Sequence, residues 1–144
     1  MHAFLMNEDA SVAVDLHDDV RDFVRQCADF VIATRSATDS PAHQRVYGPI
    51  NVELDDDDIF ATLEREMKVD ALCELVSSSA DKSVLSEEEA DAWLKVLSMT
   101  CSGLAANFGI GDESDLDRLD WVEEQQLRLV QALQWSLVSA MLDE

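Results

Sequence analysis

The chain has 144 residues, 47% of them apolar, with four Gly and two Pro. This composition is ordinary for one folded domain and unlike that of a disordered chain or a turn-rich all-β protein. Asp and Glu number 31 against 10 Lys and Arg, so the formal net charge is −21. Such a field repels phosphate backbones and anionic lipid surfaces, which argues against partners of either kind. We expect a single domain over residues 1–144.

The first third of the chain predicts a β-hairpin followed by a helix. Two short apolar segments, residues 2–6 and 11–14, flank the turn-forming triplet 7–9, and this pattern is typical of a hairpin that packs against helices. From about Asp15 to Thr34 the apolar residues recur every three or four positions, which predicts the first long helix. Residues 36–52 hold both prolines and are expected to form a loop.

Three more helices follow in the sequence pattern. An acidic run at 55–58 precedes an apolar periodic segment that begins at Ile59 and ends in the serines 77–79. Ser86 and Glu89 have capping-box spacing at the start of the next helix, and Gly109 stands where a left-handed C-terminal residue is favoured. The last helix carries an apolar stripe: Val122, Leu127, Val130, Leu133, Leu137, Val138 and Met141.

The predicted fold is therefore mainly α, a helical bundle of about four long helices with a short N-terminal β-hairpin. The connection between the last two helices is short, so we expect them to be antiparallel neighbours.

One acidic segment has the spacing of a calcium-binding loop. Glu113, Asp115 and Asp117 alternate along the chain, and Glu124 follows eleven positions after the first of them. Arg118 stands where such loops need Gly for a sharp turn. An acidic connector that complements the dipole of the following helix is the better interpretation, and no cofactor is expected.

Catalytic motifs are not evident in the sequence. It contains no Gly-x-Ser-x-Gly, His-Glu-x-x-His or Cys-x-x-Cys pattern, and its three histidines are scattered through the N-terminal third. The three cysteines lie far apart at apolar helical positions, which is typical of buried thiols in a reducing compartment. With no leader pattern and no apolar run of membrane-spanning length, we expect a cytoplasmic protein that is not an enzyme.

Tryptophan offers the one hint of an interaction site. Trp93, Trp121 and Trp135 all fall in predicted helices, where such residues most often belong to the core. Trp135 lies beside the main apolar stripe, between Gln134 and Ser136, and we expect it to be partly exposed. An exposed Trp flanked by Leu is the kind of residue that anchors a partner protein or a second copy of the chain.

The segment 85–97, LSEEEADAWLKVL, together with Phe108-Gly109-Ile110 and the closing LQWSLV of 133–138, resembles an uncharacterised actinobacterial family. That family is known as domain of unknown function twenty-seventeen, and it supplies no catalytic residues. Its genes tend to lie close to that of the adaptor of the Clp protease, so the resemblance implies a role near proteolysis or in protein–protein contact. The chain has Ser98-Met99 where the family tends to show Asn-Asp.

The function that these observations favour is that of a cytoplasmic interaction or regulatory accessory protein. One alternative is an enzyme, small-ligand binder or cation binder that uses clustered carboxylates. Another is an acidic mimic of nucleic acid that occupies a basic partner.

Overall fold

The computed structural model describes residues 3–34, 37, 39–47, 59–109 and 119–142. The elements in chain order are β1 (Phe4–Met6), β2 (Val12–Val14), α1 (Asp18–Thr34), α2 (Pro41–Tyr47), α3 (Ile59–Ser79), β3 (Val84–Leu85), α4 (Glu87–Asn107) and α5 (Trp121–Leu142). The mainly α fold with a short N-terminal hairpin is confirmed, and the described residues contain one more helix than predicted.

The hairpin belongs to a three-stranded antiparallel sheet rather than to a two-stranded one. The strand order is β1-β2-β3, with Leu5 opposite Ala13 and Ala13 opposite Val84. Because side chains alternate along a strand, Leu5 and Val84 point outward and are about half exposed. The side chains of Phe4, Val12, Val14 and Leu85 are buried beneath them. The two-residue β3 is too short to show alternation, which is why the sequence did not predict it.

Helix α4 is the centre of the bundle, since it packs against all four other helices. Its predicted capping box is confirmed: Ser86 Oγ accepts from Glu89 N at 3.1 Å, and Glu89 Oε1 accepts from Ser86 N at 2.8 Å. Gly109 adopts a left-handed φ of 72°, as predicted. Trp93 in this helix is fully buried and meets the Phe4 ring edge-on at 6.1 Å.

The prediction of a loop over residues 36–52 was wrong in its middle, because α2 lies there. Pro41 is the first residue of α2, a position where its missing N–H is harmless. Ser40 Oγ accepts from His43 N, and Asn107 Oδ1 of α4 accepts from Ala42 N at 3.0 Å. Gly103 of α4 gives α2 room to approach, since a Cβ there would lie 3.4 Å from the Ala42 Cβ. This helix depends on docking rather than on its own periodicity.

Arg21, at the start of α1, is buried and ties three chain segments together. Its Nη1 donates to the carbonyl oxygens of Ala80 and Lys82 at 2.9 and 2.8 Å. Its Nε donates to Leu16 O at 3.2 Å, and its Nη2 to Val14 O at 3.4 Å. One side chain thus holds the end of β2, the entry to α1 and the turn after α3 in register.

Helix α5 begins with a second capping box, which the sequence analysis did not identify. Asp120 Oδ1 accepts from Glu123 N at 2.8 Å, and Glu123 Oε1 accepts from Asp120 N at 3.2 Å. The core-facing side of α5 consists of Leu127, Val130, Leu133, Leu137 and Ala140. Val122 was wrongly included in the predicted stripe, since it is 58% exposed. Helices α4 and α5 pack on each other as sequence neighbours.

Candidate interaction surface on the last helix

Large apolar side chains point away from the core along α5. Trp121 is 72% exposed, Trp135 70% and Leu142 77%. With Arg128 they are spaced every seven residues, which keeps all four side chains within an arc of about 60° on an α-helix. We call these four residues the α5 outer face. It lies opposite the buried side of the helix.

Three of the four residues of the α5 outer face, Arg128, Trp135 and Leu142, lie in a stretch with no acidic residue, whereas Trp121 lies beside Asp120 and Glu123. Positions 125–142 contain no Asp or Glu, and Arg128 is their one charged side chain. The chain has 31 acids in 144 residues, and residues 92–111 form another acid-free run, of twenty residues. The exposed side of α5 after Glu124 therefore carries no acid, but the length of this run is not unusual for the chain. Gln125, Gln131, Ala132, Ser136 and Ser139 are exposed there and neutral.

The exposed apolar side chains of α3 have different surroundings. Met67 is 70% exposed and Leu63 is 49% exposed. Between and beside them lie the exposed ion pair of Lys68 with Glu64, at 3.4 Å, and further charged residues of the same helix. Single apolar side chains on a charged helix are normal for a protein surface. The exposed side chains of Met67 and Leu63 therefore provide a comparison for the α5 outer face.

Glu124, the last residue of the weak candidate calcium loop, is bonded to Arg128. Arg128 Nε and Nη2 donate to Glu124 Oε1 at 3.0 and 2.7 Å, one helical turn apart. The other candidate ligands, Glu113, Asp115 and Asp117, lie outside the described residues. Within the described ranges, no three His, Cys, Asp or Glu side chains are grouped so that they could hold a metal ion.

A shallow groove of about 260 Å³ lies beside this ion pair. Described residues that line it are Glu124, Leu127, Arg128 and Gln131, all on α5. Its volume is below the roughly 300–1,000 Å³ of typical small-molecule pockets. The two charged groups among its described lining residues, Glu124 and Arg128, neutralise each other. The groove therefore gives little support to binding of a charged small ligand.

The described thiols and imidazoles do not form a nucleophile–base pair. Burial raises the pKa of the Cys27 thiol to about 12, although its hydrogen bond with Thr100 acts the other way. Burial also raises the pKa of the Cys101 thiol. His43 Nδ1 is 2.8 Å from Thr34 O, and His17 lies on the surface beside Asp19. Cys27 is thus held as a neutral core thiol rather than as a reactive thiolate.

Trp135, the one candidate interaction residue named from the sequence, lies on the exposed side of α5. Sequence reasoning missed Trp121, Arg128 and Leu142. Two signals were nevertheless present in the sequence, the repeated spacing of seven and the absence of acids from 125 to 142. None of the described helices is both long enough and apolar enough to span a membrane. Comparison with protein-family models, with curated proteins and with solved structures found no match for this chain.

Proposed function

We propose that this protein acts through protein–protein contacts, as a cytoplasmic accessory or regulatory factor, and that the α5 outer face is its contact surface. The observation that carries the proposal is the pair of exposed indoles, Trp121 and Trp135, of which Trp135 lies in the acid-free stretch 125–142 of a chain with net charge −21. Interface cores are depleted of Asp, Glu and Lys and enriched in Trp and Arg. Trp is also the most frequent energetic anchor at such interfaces.

The free energy available from these indoles supports the same role. A Trp side chain buries roughly 150–250 Å² in full, and each removed Å² of apolar surface contributes about 25 cal/mol. With 70% of Trp135 exposed, covering it would contribute about 3 kcal/mol before the entropy of association is subtracted. Trp121 is similarly exposed, at 72%, so covering it as well would approximately double this free energy.

The resemblance to the actinobacterial family is consistent with this proposal. Genes of that family tend to lie close to the gene of the Clp protease adaptor. We therefore propose that this protein has a role close to regulated proteolysis.

The proposal is tested by quantitative capture from a lysate of the protein's own host. Tagged wild type, Trp135→Ala and the control Met67→Ala are compared at low and high salt, because Met67 is equally exposed but lies in charged surroundings on α3. We expect a bound protein, foreign or a second copy, that wild type and M67A retain at both salt concentrations and that W135A loses.

Two results would contradict the proposal. The first is binding that W135A retains in full. The second is recovery of basic proteins that all three variants release at high salt, which is the behaviour of an acidic nucleic-acid mimic.

A further inference from the structure

We draw no further inference here: the strongest candidate, the outward-facing apolar row of Leu5 and Val84 on the three-stranded sheet, carries none, because nothing in the structure shows what covers it.

Discussion

Trp93 Nε1 donates a hydrogen bond of 2.8 Å to Ser79 Oγ, which joins the central helix to the end of α3 inside the core. Both residues are fully buried. The Ser79 hydroxyl in turn donates to Leu75 O at 2.6 Å. Large aromatic side chains with a polar edge need such a partner when they are buried. This hydrogen bond is one of the few polar contacts inside a mostly apolar core.

Replacing Ser79 by Ala should lower the free energy of unfolding by about 2 kcal/mol, because it leaves the indole N–H of Trp93 buried without an acceptor. Ser78→Ala is the matched control, since Ser78 is exposed and bonds only to the carbonyl of its own helix. Its effect should stay within about 0.5 kcal/mol. Urea unfolding followed by circular dichroism measures both. Equal effects of the two substitutions would mean that water or another group satisfies the indole.

Arg21 and Arg25 lie one turn apart on α1 and provide a second matched pair. Arg21→Met removes a buried donor to four carbonyl groups and should lower the free energy of unfolding by about 3 kcal/mol. Arg25→Met removes exposed ion pairs with Asp22 and Asp81 and should lower it by less than about 1 kcal/mol.

Arg21→Lys tests whether the shape of the guanidinium matters or only its charge. An ammonium cannot reach several separated carbonyls at once. Arg21→Lys should therefore recover less than half of the free energy of unfolding that Arg21→Met removes. If Arg21→Lys retained the full free energy of unfolding of the wild type, a single contact of Arg21 would account for its stabilising effect. The bridge between three chain segments would then not be needed.

Contacts within one helical turn could be predicted from the sequence, whereas contacts between distant segments could not. The Ser86–Glu89 capping box and the left-handed Gly109 were predicted correctly because both are set by residues within one turn of them. The role of Arg21 was not predicted, because its bonds to Ala80 and Lys82 span 59 and 61 residues. A charged residue near a helix start resembles ordinary surface charge until the fold brings those carbonyls to it.

The same distinction applies to α2 and to the candidate surface. Helix α2 gains an acceptor from Asn107, which lies 65 residues after Ala42, and a contact at this separation cannot be predicted from a local pattern. The local signal for this helix was Ser40-Pro41, a capping residue followed by Pro at the first helical position. Trp135 was predicted to be partly exposed because it falls beside the apolar stripe. Trp121 was not singled out, because the first turn of a helix has no stripe before it that would show which side faces the core.

Glu89 should make the stability of the protein depend on pH. Burial raises its pKa, but hydrogen bonds from the Lys82 ammonium and from Ser86 outweigh this, so the net pKa is lower than the ordinary value of 4.5. A carboxyl whose pKa is lower in the folded state stabilises the fold above its unfolded pKa. That contribution is present at neutral pH and is lost as the pH falls below 4.5 and through the lowered folded-state pKa.

Glu89→Gln keeps the geometry of the capping box and removes the charge. Glu88→Gln is the control, because it removes a neighbouring exposed acid from the same first turn and hence the same interaction with the helix dipole. At neutral pH, E89Q should be about 1 kcal/mol less stable than E88Q. The difference should vanish at a pH where Glu89 is protonated in the folded state. A difference that does not change with pH would mean that the charge of Glu89 contributes nothing.

Gly103 allows close packing at the point where α1 and α2 meet α4. A Cβ there would lie 2.9 Å from Phe30 Cε2 and 3.2 Å from Phe30 Cζ. Gly103→Ala therefore combines two opposite effects, a gain of about 1 kcal/mol in helix propensity and overpacking that costs roughly 1–3 kcal/mol. We expect a net loss of about 1 kcal/mol, measured by urea unfolding.

A double-mutant cycle with Phe30→Leu separates these two effects. The smaller side chain removes the ring atoms that the new methyl group would meet, so the two substitutions should couple favourably by about 1 kcal/mol. Ser102→Ala is the control for helix propensity, since Ser102 is exposed on the same turn. If G103A and S102A both stabilise the protein, the Phe30 ring moves aside freely and the close approach at Gly103 is not what positions α1 against α4.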